Sequence, residues 1–310
     1  MDTIEIYRGE RGEPFKNLIR SILKHGNIKP KFVEAIFTED NMRILDAAFT
    51  HQSANPRRNY QFLEILGDST ANDTLVWYFS RRFPQINCPD GVNTLARLKI
   101  NYGSKKMFSK FAAKLGMWPF ITASEEVRKN AYSKTLEDVF EAFIGAIKKI
   151  LDATFMIGVG NAVIYDFIAG FMNTVDISLR YEDLYDPKTR LQDTILWYLK
   201  ENKEKQWYQN HQKKFKANPK LAQNWLSFYL EYFSNKENDR YYNTRVMIKD
   251  LEAFNFRSEV IGSGKNFVKV DSEQEAAEQG LAWLKRRGIS KPIPEFYTTY
   301  CNFEPGEYMV

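Results

Sequence analysis

Two acidic side chains lie four residues apart within an otherwise apolar stretch, QFLEILGDS at residues 61–69. Residues i and i+4 share one face of an α-helix, so Glu64 and Asp68 would present their carboxylates one turn apart. Gly67 costs a helix about 1 kcal/mol relative to Ala, which indicates that another backbone or a ligand comes close. On this stretch alone, two solvent-facing acids on an amphipathic helix are an equal alternative. The apolar neighbours are typical of a helix buried in a core: Phe62, Leu63, Ile65 and Leu66.

A second stretch, TLEDVFEAFIGA at residues 135–146, repeats this pattern. Asp138 and Glu141 are three residues apart, lie among apolar residues, and are followed by Gly145. If the two helices cross, they offer four carboxylates, which are ligands that Mg²⁺ and Mn²⁺ prefer. Neither stretch has the His or Cys pairs of a zinc site, and the sequence lacks the Glu-x-x-His pairs of metal-carboxylate oxidases.

The two acidic stretches resemble the two acidic motifs of ribonuclease III, a family of metal-dependent nucleases of double-stranded RNA. The sequence AFTHQS at residues 48–53 resembles the motif that precedes the first acidic helix of that family. Residues 82–84 and 91–98 resemble its middle segment, and residues 186–192 resemble the start of its appended double-stranded-RNA-binding domain. Four motifs in the family's order make the resemblance specific.

The resemblance implies a hydrolase that cuts double-stranded RNA in RNA processing. It implies 5′-phosphate and 3′-hydroxyl ends with a short 3′ overhang, and Mg²⁺ as the cofactor, with Mn²⁺ possible and two ions per site. Family members act as dimers of the nuclease domain, so we expect a homodimer through that domain. The carboxylates that the resemblance makes both catalytic and metal-holding are Glu64, Asp68, Asp138 and Glu141.

Two positions beside these acids depart from the family pattern. Gln61 stands where the family usually has an acid, and Glu137 stands where a small residue is common. Both could change the affinity for metal, but neither removes a ligand. The alternative function is a catalytically silent RNA-binding or scaffold subunit, such as a ribosomal protein. Scaffolds of that kind have typically lost metal carboxylates, and this chain keeps all four.

Composition agrees with an intracellular nucleic-acid enzyme without requiring one. The 310 residues carry a net charge of +5, with 44% hydrophobic and 15% aromatic residues, which is typical of a globular chain of about two domains. The two cysteines, Cys88 and Cys301, form no disulfide pattern and indicate a reducing compartment. We find no signal, transit or transmembrane segment, and therefore expect a cytoplasmic or nuclear protein with no membrane partner.

Hydrophobic periodicity predicts an all-helical ribonuclease III domain followed by a smaller α-β-β-β-α domain. The predicted boundaries are an extended arm at 1–14, the nuclease domain at 15–180, the second domain at 186–288 and an extended tail at 289–310. Residues 181–187 would form a linker. The predicted helices cover 15–24, 31–37, 41–50, 60–83, 92–115, 133–151, 161–173, 188–200 and 273–287. The predicted strands cover 225–233, 244–251 and 254–261, with Gly262 and Gly264 in a turn.

The second domain resembles a divergent double-stranded-RNA-binding domain. Its predicted first loop, residues 236–241, lacks the family's Pro and His. Its last helix is expected to open with Glu273 and Glu275, where lysines would clamp phosphate, so weak RNA binding or a protein partner is expected. A basic insertion at 203–224 suits either RNA contact or a solvated loop. The candidate RNA-binding residues are Lys188, Gln192, Lys213, Lys214, Lys216 and Lys220.

Overall fold

A computed structural model describes residues 4–25, 29–34, 36–201, 230–237, 240–249 and 258–299. The described residues up to Ile177 form one compact unit, and those from Ser178 onward form a second. The predicted basic insertion and Cys301 lie outside the described residues. In the described part of the chain, no helix combines the length and the apolar composition that crossing a membrane requires.

The first unit contains two very short strands and nine α-helices among its described residues. The strands are β1 (Ile6–Tyr7) and β2 (Ala123–Ser124). The helices are α1 (Glu13–His25), α2 (Pro30–Glu34), α3 (Glu39–Ala48), α4 (Gln61–Arg82), α5 (Val92–Tyr102), α6 (Lys105–Lys114), α7 (Glu125–Asn130), α8 (Tyr132–Thr154) and α9 (Val159–Met172).

Helix α8 is the centre of this unit. Every residue from Thr135 to Ile147 is buried, and α8 packs against α3, α4, α6, α7 and α9. A helix that is buried on all sides must be surrounded by other elements that cover its apolar side chains. Aromatic rings fill the space around it: Phe49 contacts Phe143 at 6.3 Å between ring centroids, and Phe108 contacts Phe140 at 5.2 Å.

Helices α4 and α8 cross with their backbones in contact. A Cβ atom added at Gly67 would overlap the carbonyl oxygen of Glu141 and lie 3.0 Å from the nitrogen of Gly145. A Cβ atom added at Gly145 would overlap the carbonyl oxygen of Leu63. The two glycines therefore serve the close backbone approach that their position inside apolar helices indicates.

The prediction that the whole apolar set around Glu64 is buried was wrong in part. Leu63 is buried and Leu66 is half-buried, but Phe62 is 64% exposed and Ile65 is 69% exposed. Helix α4 packs on α8 through the face that carries Leu63 and Gly67, and a single helix buries only the face that meets its neighbour. The opposite face leaves two large apolar side chains in solvent.

The first unit also departs from an all-helical prediction. Strands β1 and β2 pair in antiparallel fashion, with Ile6 opposite Ser124, so part of the predicted arm is docked. Arg11 strengthens this docking, since its Nε donates to Asp46 Oδ1 at 2.5 Å and its Nη1 donates to the Phe120 carbonyl at 2.7 Å. The helix predicted at 92–115 is two helices, because α5 ends at Tyr102 and is followed by Gly103, a residue that weakens helices.

The second unit consists of helices around one three-stranded sheet. The helices are α10 (Tyr181–Leu184), α11 (Pro187–Glu201), α12 (Lys269–Arg286) and α13 (Glu295–Thr299). The strands β3 (Leu230–Glu237), β4 (Tyr241–Ile248) and β5 (Glu259–Asn266) form an antiparallel sheet in the order β3-β4-β5. Its core joins both long helices to the sheet through Leu191, Ile195, Val246, Ile261, Ala276 and Leu284.

Several predicted boundaries in this unit were wrong. Gly262 and Gly264 lie inside β5 rather than in a turn, because α12 packs so closely that a Cβ at either position would overlap its backbone. The predicted loop at 236–241 is shorter, since β3 continues to Glu237 and β4 begins at Tyr241. Helix α12 begins at Lys269, about one turn before the predicted start.

The predicted linker and tail also contain ordered elements. Residues 181–184 form α10, and the Tyr181 and Tyr185 rings stack at 4.6 Å between centroids. In the predicted tail, Tyr297 of α13 is buried and its hydroxyl lies 3.0 Å from the Tyr185 hydroxyl. Aromatic residues at both ends of the unit thus pack together, which local sequence patterns do not reveal.

The close helix crossing predicts that one methyl group added at Gly67 destabilises the fold. Gly67→Ala should lower the free energy of unfolding by about 2 kcal/mol, because overpacking outweighs the roughly 1 kcal/mol gained in helix propensity. Ser69→Ala, an exposed position on the same helix, is the control and should change stability by about 0.5 kcal/mol or less. Urea denaturation of both variants measures this, and equal stabilities would show that the crossing can widen without cost.

Candidate active site

The helix crossing brings together acids from both sequence motifs. Glu64 and Asp68 lie on α4, where Glu64 is half-buried and Asp68 is exposed. Asp138 and Glu141 lie on α8 and are only 6% and 8% exposed. The backbone contact at Gly67 and Glu141 places these side chains at one location. Buried carboxylates are unusual unless they are paired or bind a cation.

The clustering of these acids changes the pKa of Glu141. Burial, followed by the charges of Asp68 and Glu137 and then of Glu64 and Asp138, raises the pKa of Glu141 to about 8. Like charges in a low-dielectric setting disfavour the ionised form. The acids of α4 therefore lie close enough to those of α8 to repel them, and a cation bound among them would relieve that repulsion.

The four predicted carboxylates fit a hard divalent cation by donor chemistry, because Mg²⁺ and Mn²⁺ take oxygen ligands. Among the described residues, however, no three His, Cys, Asp or Glu side chains already converge as a metal-binding group. The crossing places the acids as neighbours without setting their oxygens around a common point. Their role as metal ligands stays a prediction.

A tyrosine at the start of α4 contacts the acidic cluster. Tyr60 is 3% exposed, and its hydroxyl donates to Asp138 Oδ2 at 2.9 Å. Burial, and then the charge of Asp138 and the hydrogen bond to it, raise the pKa of Tyr60 well above its ordinary value, so the phenol remains a donor. The sequence pattern predicts Tyr60 only as the first residue of a helix, and the available signal for its role was a polar aromatic residue next to an acidic motif.

Only two of the predicted RNA-binding residues lie within the part of the chain that the structure describes. Lys213, Lys214, Lys216 and Lys220 lie outside the described residues. Lys188 has an internal partner, since its Nζ lies 2.5 Å from Glu273 Oε2 and 4.8 Å from the centre of the Tyr232 ring. Gln192 is half-buried on α11. RNA contact by Lys188 and Gln192 stays a prediction.

The acids expected at the start of α12 have structural partners. Glu273 binds Lys188, as above, and Glu275 accepts hydrogen bonds from the Lys265 backbone at 2.9 Å and from Asn266 Nδ2 at 2.8 Å. The first residue of α12 is Lys269, whose side chain is largely exposed. The helix therefore opens with Lys269 rather than with the predicted acids Glu273 and Glu275, and its first turn carries one acid, Asp271.

Comparison with known proteins shows which family this chain belongs to. The family model for the Ribonuclease III domain matches residues 61–148, which span both acidic motifs. A protein of Invertebrate iridescent virus 6, named as a candidate ribonuclease 3, is 30% identical over 310 residues, covering 95% of this chain and 96% of its own length. The chain belongs to the ribonuclease III family. As such it is an endoribonuclease, a hydrolase of phosphodiester bonds, and membership supports action on double-stranded RNA.

Two further proteins are similar to this ribonuclease III. A protein of Frog virus 3 (isolate Goorha), also named as a candidate ribonuclease 3, is 34% identical over 264 residues, covering 84% of this chain and 61% of its own length. The solved nuclease domain of ribonuclease III from Campylobacter jejuni is 23% identical, covering 52% of this chain and 98% of its own length, with a TM-score of 0.39.

The raised pKa of Glu141 predicts a pH-dependent stability. Between its ordinary pKa of 4.5 and about 8, the folded chain holds a proton that the unfolded chain has released. Unfolding therefore releases a proton, and the free energy of unfolding falls as pH rises through this interval. Glu141→Gln has no carboxyl proton to release on unfolding. In EDTA its melting temperature should therefore be higher than that of wild type at high pH and close to that of wild type at low pH.

Calorimetric scans at about one pH unit above 8 and near 5 test this expectation. Glu126→Gln, an exposed acid on α7, is the control, and its difference from wild type should be small at both pH values. A Glu141→Gln difference that does not change with pH would show that the carboxyl is not held protonated in the folded chain.

Proposed function

We propose that this ribonuclease III cleaves both strands of an RNA duplex with Mg²⁺ or Mn²⁺ held by Glu64, Asp68, Asp138 and Glu141. The observation that supports it is the α4–α8 crossing, which brings acids of both motifs close enough to raise the pKa of Glu141. The products would carry 5′-phosphate and 3′-hydroxyl ends with a short 3′ overhang. Two ions would be held per site.

The chain's own residues contribute charge, placement and proton release. A bound divalent ion supplies an activated water and stabilises the entering and leaving oxygens of phosphodiester hydrolysis. Glu141 would lose its proton on metal binding, since a protonated carboxyl is a poor ligand, so apparent metal affinity should rise with pH. Once Glu141 has lost its proton, burial of Asp138 and Glu141 would strengthen their attraction for the cation by limiting screening by water.

The catalytic proposal is tested by replacing single acids. Glu141→Gln keeps the shape and removes one charge, so cleavage of a long RNA duplex in Mg²⁺ should fall by at least about 100-fold. Glu137→Gln is the matched control, because Glu137 is a buried acid of the same helix outside the proposed set, and it should retain far more activity. Gel analysis gives the rate, and sequencing of the product ends gives the overhang.

Two results would count against this assignment. Equal cleavage by Glu141→Gln and wild type would remove Glu141 from the site. Absence of cleavage by the wild type in either metal would favour the alternative of a silent RNA-binding or scaffold subunit.

The exposed face of α4 indicates how two copies of the chain would assemble. Phe62 and Ile65 flank Glu64 and lie in solvent, beside a groove lined by Ile44, Ala47 and Leu63 and by the cations Arg43, Arg57, Arg58 and Lys149. Large apolar side chains at this density on a soluble surface indicate a protein interface. We propose that a second copy of the chain covers this face, which places two sites on one duplex.

The assembly proposal is tested by a charged substitution. Ile65→Asp should convert a dimer into a monomer in light scattering at micromolar concentration, because burying the unpaired carboxylate costs several kcal/mol. Ile100→Asp is the control, since Ile100 is similarly exposed but lies on a different helix, α5. A wild-type monomer that still makes staggered double-strand cuts would refute the proposal.

The second unit is best interpreted as a divergent double-stranded-RNA-binding domain. The support is its order of helix α11, three antiparallel strands and helix α12. Lys269 at the first position of α12 has its Nζ 3.8 Å from Glu273 Oε1 and would offer one cation toward a phosphate, where helix N-termini also favour anions. The lysines of the 203–224 insertion would supply further backbone contacts, and a protein partner for this unit is the alternative.

A further inference from the structure

The AFTHQS motif at residues 48–53 has no role in the chemistry described so far. It ends immediately before the turn that leads into α4, and its residues join that turn to the segment preceding α7. The His51 backbone donates to the Thr122 carbonyl at 2.8 Å, and the Ser124 backbone donates to Ser53 Oγ at 2.9 Å. The motif therefore links the start of α4 to the segment before α7, the helix that precedes α8 in the chain.

His51 is held in one orientation within this link. Its Nδ1 accepts a hydrogen bond from the Ser53 backbone at 2.9 Å and lies 2.8 Å from Ser53 Oγ. A nitrogen that accepts from a backbone N–H carries no proton, so the neutral ring is protonated at Nε2. Burial lowers the pKa of His51, which favours this neutral ring.

The fixed His51 ring packs against Tyr60. The two rings meet edge to face at 5.6 Å between centroids, and the Tyr60 backbone donates to the Thr50 carbonyl at 3.0 Å. Tyr60 is therefore held at its backbone by the motif, at its ring by His51 and at its hydroxyl by Asp138 Oδ2, 2.9 Å away. The contacts form a continuous chain from Ser124 through Ser53, His51 and Tyr60 to Asp138.

We propose that Tyr60, braced by His51 and Ser53, is a positioning residue that fixes the Asp138 carboxylate for metal binding. The inference rests on the proposed role of Asp138 as a ligand. Rotation of an aspartate carboxylate about its last torsion is broad, so an unsupported Asp138 must lose that freedom when it binds a cation. The Tyr60 hydroxyl fixes one oxygen in advance and leaves Oδ1 for the metal.

Removing the hydroxyl tests this idea most directly. Tyr60→Phe should weaken Mn²⁺ binding about tenfold, since loss of a partner that orients a ligand typically costs 10- to 100-fold in metal affinity. Binding is measured by electron paramagnetic resonance of Mn²⁺ with the full chain and no RNA, so the readout does not depend on cleavage. In cleavage assays, the Mg²⁺ concentration for half-maximal rate should rise by a similar factor.

A matched control separates positioning from a loss of stability. Tyr78→Phe removes another hydroxyl of a 3% exposed tyrosine on α4, which donates to Asn173 Oδ1 at 2.9 Å, far along the helix from the acids. This variant should lose a similar amount of thermal stability and leave Mn²⁺ affinity unchanged. Equal affinity losses in Tyr60→Phe and Tyr78→Phe would overturn the proposal.

A double-mutant cycle shows whether Tyr60 acts through Asp138. In the Asp138→Asn background, Tyr60→Phe should cause less than about a twofold further loss, because the oriented carboxylate is already gone. Fully additive losses would overturn the proposal. If Tyr60→Phe does not fold, Ser53→Ala must weaken Mn²⁺ binding at least about twofold more than Tyr78→Phe, and failure to do so would also overturn it.

The outcome for Asp138 distinguishes this inference from the proposed function. If Asp138→Asn binds Mn²⁺ as well as wild type does, the metal assignment of Asp138 fails and the positioning role falls with it. If Asp138→Asn loses affinity while Tyr60→Phe does not, only the positioning role falls and the catalytic proposal stands.

Discussion

The contact between the α4 and α8 backbones at Gly67 and Gly145 is the constraint on which the first unit depends. Only residues without a side chain allow helices to approach this closely, and the approach brings Leu63 and Glu141 carbonyl oxygens against the opposing helix. The same approach places two acidic motifs, about seventy residues apart in the chain, next to each other. Packing and the acidic cluster therefore have a common cause.

This arrangement carries an electrostatic cost that the surrounding core offsets. Buried like charges disfavour folding, yet α8 is surrounded by five helices and a cluster of aromatic rings. Each fully buried Phe stabilises the fold by about 1.5–3 kcal/mol. A strong apolar core around a repelling set of acids is a common arrangement at functional sites, where local stability is lower than elsewhere.

Sequence reasoning predicted the features that depend on local pattern. The acid spacing and the glycines within apolar runs indicated where α4 and α8 lie, and the backbone contact explains both glycines. Sequence reasoning failed where the packing partners of a helix decide which of its side chains are buried. Nothing local shows that Ile65 faces solvent while Leu63 is buried, because that depends on which side of α4 meets α8.

The second unit illustrates the same limit. Gly262 and Gly264 were assigned to a turn because glycine is common in turns, whereas their role is to let α12 approach β5. Val268, the residue that precedes α12, is not one of the capping residues that mark a helix start, so α12 was predicted too late. Tyr297 could be placed only by its contact with Tyr185, which is distant in sequence.

The docked N-terminal segment has a consequence for folding during synthesis. Gly9 donates its backbone N–H to Thr122 Oγ1, a partner 113 residues later in the chain. At about 5–20 residues per second of translation, on the order of ten seconds pass between the appearance of the two residues. During that interval the segment has no partner strand, so the nuclease unit closes late, after most of its helices have been made. Its slowest folding step should therefore be a long-range one.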